Sequence, residues 1–361
     1  MPSTTTACRP DPDGEKPGFS PLPFLSLSPR GPSMLIESHF HAPWWARNPH
    51  LQTILPKWLR RQPARFVAER FELADGDFVD LAWSGEISRD ERPLIVLFHG
   101  LEGSIHSHYA KGLFAHLQRQ GNEAVLMHFR GCSGEPNRLL QAYHSGAIED
   151  AQALIAELGR RFPGKPLIAI GYSLGGNMLV NLLARACPSE LTAAVVISAP
   201  LRLDSCADRV NQGFSRVYQS YLLRTMRHNL QQKIQRQAAA GARWQPQQVR
   251  AIATLRDFDE QVTAPLHGFD SADHYYQRCS GLGMLARIPI PTLVIHAADD
   301  PFMTEAVIPQ AEQLSPMVRY ELSRQGGHVG FLHGTPWRPR FWLEERISQW
   351  IAEQSQAATQ N

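Results

Sequence analysis

From position 94 onward the chain alternates short, uninterrupted apolar runs with stretches whose apolar residues recur every three to four positions. The runs cover residues 94–98, 124–127, 167–170, 194–197 and 292–295. Runs of this length, often β-branched and lacking polar alternation, suit strands buried on both faces of a parallel sheet. Between them, residues 147–160 set Ile148, Ala151, Leu154, Ile155 and Leu158 on one face of a helix. The alternation predicts an α/β fold with a mostly parallel, doubly wound sheet, whose ligands gather beyond the carboxyl ends of the strands. The order breaks between about 201 and 286, where helical patterns over 210–228 and 230–240 and a Pro/Gly-punctuated loop replace strands. That break predicts a helical cap inserted over the strand ends, with an unrelated second small domain as the alternative reading. Residues 1–33 are rich in Pro, Ser, Thr and Gly. They are expected to form a disordered extension, since they lack the apolar surface to offset the entropy of ordering. Residues 34–361 then make up the α/β domain, and Met34 is expected to be the natural start.

Composition narrows the ligand. Charged residues make up 19% of 361 and the net charge is +2, so no strong field of one sign recommends nucleic acid as a partner. A small, mostly apolar molecule fits better. Cys8, Cys132, Cys187, Cys206 and Cys279 are scattered and form no CxxC pair, which argues against a disulfide framework or a thiolate metal site and for a reducing cytoplasm. Cys132 is expected to pack, at most as a pocket wall. No run approaches the roughly 20 apolar residues that span a bilayer, and no basic-then-apolar leader opens the chain. His39 with His41, and His106 with His108, have strand-like ligand spacing but no third partner, so no metal is expected. Trp44, Trp45 and Trp58 are expected in the core, with peripheral membrane contact as the alternative.

The strongest chemical signal is Gly171-Tyr172-Ser173-Leu174-Gly175, directly after one buried run and directly before a helical one. This is the setting of a nucleophile elbow, a tight strand-to-helix turn that lifts a serine hydroxyl off the sheet. A hydroxyl is a poor nucleophile near neutral pH, so a base must take its proton. Of fifteen histidines, His328 stands out because it follows Gly326-Gly327 after a late strand-like run, where the chain order Ser, acid, His puts the base. The acid is expected between them, just past a strand. Asp299-Asp300 follows the run at 292–295 and precedes Pro301. Asp300 is favoured because it stands immediately before Pro301, the residue that opens the next element; Asp299 is its alternative, and Asp204, after the preceding strand, is a weaker candidate. Charge developing on a carbonyl oxygen needs preorganised donors. The backbone N–H groups of Leu174, next to the serine, and Leu101, in the loop His99-Gly100-Leu101-Glu102-Gly103, are expected to form that oxyanion hole. His99 is expected to shape the loop by hydrogen bonding and not to act as base.

Longer motifs then accumulate: WWARNPHLQT at 44–53, HGLEGS at 99–104, HFRGCSGEPN at 128–137, GYSLGGNML at 171–179, DDPF at 299–302 and GGHVGF at 326–331. With these in order, the chain from about 40 to 350 resembles the YheT-like esterases. These form a branch of the α/β-hydrolase superfamily that also holds membrane-associated eukaryotic relatives acting on lipids. The resemblance implies charge-relay roles for Ser173, for Asp300 or Asp299, and for His328. It implies a serine carboxylesterase or monoacylglycerol-lipase-like activity without a cofactor, on a small-molecule or lipid ester. An acyltransferase using the same triad is the alternative among enzymes. A noncatalytic α/β-hydrolase scaffold is the alternative outside them.

Overall fold

The computed structural model describes residues 34–60, 63–237 and 243–360. The extension expected at 1–33 lies outside them. Among the described residues, nine strands form one sheet: β1 (Leu35–Glu37), β2 (Val67–Glu72), β3 (Phe78–Trp83), β4 (Leu94–Phe98), β5 (Glu123–Met127), β6 (Leu167–Tyr172), β7 (Leu191–Ile197), β8 (Thr292–Ala297) and β9 (Val318–Ser323). Their order is β1-β9-β8-β7-β6-β4-β5-β3-β2. All neighbours from β1 to β5 pair parallel, while β3 runs antiparallel to β5 and β2 to β3. A hairpin of β10 (Leu332–Thr335) and β11 (Arg338–Phe341) stands apart.

The continuous apolar runs are explained by two cores, one on each face. Leu94, Val96 and Phe98 of β4 enter one and Ile95 and Leu97 the other, because successive side chains of a strand point to opposite faces. Helices α3 (Glu149–Arg161) and α4 (Leu174–Ala186) cover the first face through residues such as Leu154, Leu158 and Met178. Helix α2 (His108–Arg119) and the C-terminal helix Trp342–Gln360 cover the second through Leu113, Phe114 and Ile347. From β4 the chain crosses to β5 on one side and then returns to β6 on the other. The sheet's winding reverses there, which opens a crevice at the carboxyl ends of β4 and β6.

Between β7 and β8 lie α5 (Leu203–Val210), α6 (Ser215–Arg236), α7 (Pro246–Ala251) and α8 (Ala272–Cys279). Leu223, Met226, Leu230, Trp244, Val249 and Phe258 of this insert form a small core of their own, and Leu101 from the sheet side packs against it. The helical patterns read over 210–228 and 230–240 are in fact one helix, α6, up to Arg236. Val210 closes α5 instead, and Gly213, at φ +51°, lies in the turn between the two helices.

The three tryptophans do not share one environment. Trp45 is half-buried and its indole N–H donates to Gly334 O at 3.0 Å. Contrary to a core role, Trp44 is 76% exposed and Trp58 69%.

Candidate functional site

Helix α4 begins immediately after Ser173, and the serine takes φ +52° and ψ −120°. A positive φ at a non-glycine residue is costly and persists only where the surroundings enforce it. Glycine at 175 makes the turn feasible: a methyl group there would fall against His99 O, with Phe98 O 2.8 Å away. The loop after β4 therefore lies directly over the elbow.

The imidazole of His328 reaches the serine from the loop after β9. Its Nδ1 lies 2.8 Å from Asp300 Oδ2 and its Nε2 lies 3.0 Å from Ser173 Oγ. An ionised carboxylate only accepts, so Nδ1 carries the proton and Nε2 is left to accept from the serine hydroxyl. Asp300 is held in turn by the Phe302 N–H, which donates to its Oδ1 at 2.8 Å. The Phe302 ring stacks on His328 with centroids 4.1 Å apart, and Tyr218 of α6 stacks on Phe302.

Asp299 makes no hydrogen bond or ion pair with a histidine among the described residues. Its Oδ1 accepts the Gly327 N–H at 2.9 Å, which fixes the loop that carries His328. Burial raises its carboxyl to about 6, with the backbone bond from Gly327 opposing and Asp300 adding to the rise. Asp204 sits in the first turn of α5, paired with Arg202 at 2.8 Å, and the structure does not bring it to His328.

Helix α1 (Pro49–Leu59), capped by the Asn48 side chain and with Pro49 at its first position, is packed beneath the His328 loop. Thr53 Oγ1 accepts the His328 N–H at 3.0 Å and donates to Pro49 O at 2.8 Å. The Gln52 side chain accepts from Leu332 N at 2.6 Å and donates to Leu332 O at 2.9 Å. Gly330 lies so close to Gln52 O that no side chain fits there. Val329 is held at φ +49°, an outlier for a β-branched residue. Sequence reasoning missed this brace, although Gln52 and Thr53 close the motif at 44–53.

Leu101 and Leu174 line the same cavity as Ser173 and His328. Leu174 opens α4, where the first N–H groups lack intrahelical partners and the helix dipole is positive. The loop of Leu101 is anchored on both sides. Gly100 N–H donates to Tyr109 OH at 2.8 Å, and Phe129 N–H donates to His99 Nε2 at 3.0 Å. The latter bond leaves the His99 proton on Nδ1, 2.7 Å from Gly100 O. Burial lowers His99 to about 3, so it stays neutral.

Glu102, at φ +54°, accepts from Tyr143 OH at 3.0 Å and from Asn229 of α6 at 2.6 Å. It thus ties the loop to the helical insert, and burial raises its carboxyl to about 7. His108 also lines the cavity. Arg60 donates to its Nδ1 at 2.9 Å, so its proton sits on Nε2. Cys132 lines the cavity too, and burial holds its thiol protonated.

The cavity measures 1040 Å³, and its walls include Leu140, Leu203, Met226, Phe258 and Val262. Chemically, a hydroxyl, an imidazole and a carboxylate bonded in series at the floor of an apolar chamber can deliver an activated oxygen to a carbonyl.

Three comparisons place the chain among known proteins. The sequence profile of the alpha/beta hydrolase fold matches residues 93–335. An Escherichia coli (strain K12) protein named "Putative esterase YheT" is 49% identical over 311 residues, covering 84% of this chain and 90% of its own. The mouse protein named "Phospholipase ABHD3" is 26% identical over 326 residues, covering 88% and 79%. Among solved structures, the Pyrococcus furiosus esterase Pf2001 superposes with a TM-score of 0.53 at 16% identity, covering 80% of this chain and 90% of that one. No helix among the described residues is long and apolar enough to cross a membrane. On the matched profile and the extended identity to the YheT protein, the chain belongs to the α/β-hydrolase fold family, in the branch that includes YheT.

Proposed function

We propose that the protein hydrolyses carboxylic esters through an acyl-enzyme on Ser173. The observation that carries this reading is the bonded series Ser173 Oγ, His328 Nε2, His328 Nδ1 and Asp300 Oδ2, with separations of 3.0 and 2.8 Å. Ser173 Oγ attacks the ester carbonyl as His328 Nε2 takes its proton, and Asp300 stabilises the resulting imidazolium. The N–H groups of Leu101 and Leu174 receive the oxyanion, and losing one such donor typically costs about 3 to 4 kcal/mol of transition-state stabilisation. His328 then returns the proton to the departing alkoxide, and a water activated by the same imidazole releases the acid and restores Ser173.

The insert between β7 and β8 acts as a cap that closes the substrate chamber. At 1040 Å³ the chamber lies at the upper end of ordinary ligand pockets and is mostly apolar. This supports esters with a substantial acyl chain, such as monoacylglycerol-like lipids, over acetate esters alone. The phospholipase name of one relative points the same way, and the esterase name of the other supports ester hydrolysis.

The test is hydrolysis of p-nitrophenyl esters graded in chain length, together with fluorophosphonate labelling. Wild type is expected to label and to turn over butyrate and longer esters, and Ser173→Ala to do neither. Undiminished turnover by Ser173→Ala would refute the assignment. A folded wild type that fails to label favours a noncatalytic scaffold. Transfer of the acyl group to added alcohols in place of water would make the protein an acyltransferase.

A further inference from the structure

Two segments of this chain carry basic residues and no acidic ones. Between Glu37 and Glu69 there are five Lys/Arg and no Asp or Glu, and between Asp208 and Asp257 there are nine and none. In a protein of net charge +2, such segregation is a feature of two stretches and not of the whole. The fold sets them side by side. Helix α1 comes from the first and α6 from the second, and His50 of α1 meets Phe214 at 4.5 Å between ring centroids and bonds Tyr218 OH at 3.0 Å.

The same face is unusually apolar for a surface. Leu51 and Trp58 on α1, with Phe214, Val217 and Tyr221 at and along the start of α6, are all at least 42% exposed. They supply half of the ten large apolar side chains exposed among the described residues. Contiguous exposed apolar surface of this kind marks an interaction site. Lys57 Nζ sits 4.6 Å from the centre of the Tyr221 ring, and Arg224 lies over the same ring at 5.9 Å. Arg216 is exposed on the same stretch of α6. Lys57, Trp58, Val217 and Tyr221 also line the cavity that holds Ser173, so this face surrounds its mouth.

We propose that the α1/α6 face docks on an anionic lipid surface, seating the cavity mouth against the bilayer so that ester lipids enter without crossing water. The aromatic and aliphatic side chains enter the headgroup region, where amphipathic aromatics partition. The basic side chains meet the lipid phosphates, each contributing about a fivefold gain in partitioning near a negatively charged leaflet. The occupant is a lipid surface and not a protein because the patch combines cations without carboxylate partners and aromatics at one cavity entrance. The inference rests on the esterase reading only for its purpose. Docking itself needs no turnover.

The experiment uses the full chain carrying Ser173→Ala, co-sedimented with vesicles of phosphatidylcholine alone or mixed with phosphatidylglycerol. Binding is expected to the mixed vesicles, to weaken with added salt, and to be much weaker on phosphatidylcholine alone. Arg216→Glu with Arg224→Glu is expected to weaken it by at least about 25-fold, and Leu51→Ser with Phe214→Ser to weaken it on both lipids. In the Ser173 background both pairs keep the wild-type rate on soluble p-nitrophenyl butyrate, which verifies their folding. Equal binding to both vesicle types, or binding unchanged by both pairs, would overturn the proposal. A dimer in light scattering that both pairs dissociate, without vesicle binding by the parent chain, would assign the face to a second copy instead. An inactive wild type that still binds mixed vesicles would count against the esterase reading alone.

Discussion

Exchange of Asp300 for Asn separates the two adjacent carboxylates. Asp300 Oδ2 takes the proton-bearing Nδ1 of His328 at 2.8 Å while Oδ1 accepts the Phe302 N–H. An Asn that keeps the Phe302 bond through its carbonyl oxygen turns its NH2 group toward Nδ1. Two donors cannot face each other, so the imidazole moves its proton to Nε2 and points a donor at Ser173. The base and the charge that stabilises the imidazolium are lost together. The expected fall in kcat is about 10⁴-fold, equivalent to about 5.5 kcal/mol. Asn at 299 still offers a carbonyl oxygen to the Gly327 N–H, now bonded at 2.9 Å. It forfeits only the charge in its backbone hydrogen bonds, the one from Gly327 above all, so Asp299→Asn should cost no more than about 1 kcal/mol, or about fivefold. The assay is steady-state hydrolysis of p-nitrophenyl butyrate on both variants, with thermal melts to establish that each is folded. Equal losses, or a larger loss at 299, would refute the reasoning.

Other perturbations probe the supports of the site. Thr53→Val leaves the His328 N–H, now bonded at 3.0 Å, without its acceptor. A drop of about tenfold in kcat with little change in KM is expected, restored by Thr53→Ser; a wild-type kcat in Thr53→Val would remove the brace from the mechanism. Gly175→Ala pushes a methyl group against His99 O and Phe98 O, both backbone atoms, and should destabilise by about 2 kcal/mol or more, read as a lowered Tm together with lost turnover. Glu102 supplies a pH test. Its carboxyl is raised from 4.5 to about 7 by burial, so between those pH values the folded chain holds a proton that the unfolded chain has released. Stability therefore falls as pH rises through that window. The Tm of wild type minus that of Glu102→Gln should decline from pH 4.5 to 7 and level off above it. A difference that stays flat would mean Glu102 ionises normally.

The central strands were legible because burial on both faces leaves a continuous apolar signature that few helices share. The flanking strands escaped notice for the opposite reason. β2 reads Val-Ala-Glu-Arg-Phe-Glu at the sheet edge, β3 carries Asp80, and β1 is three residues long. Asn229, read as a break between two helices, lies inside α6, and its side chain bonds across to Glu102, a tertiary partner invisible to local propensity. Ser173 and His328 could be picked out because each sits in a glycine-bounded turn next to a strand end. Asp299 and Asp300 could not be separated, since one residue of loop register decides which carboxylate faces the imidazole. Thr53 lies 275 positions from His328, and nothing local announces the contact.

The brace from α1 also limits what homology boundaries can be trusted to mean. The profile match opens at residue 93, yet the perch of the His328 imidazole is built by residues 49–53. A fragment trimmed to the matched stretch would retain serine, histidine and aspartate and still present a slack, misdirected ring. Chimeras between relatives should therefore exchange this short upstream helix and the GGHVGF loop as one inherited unit.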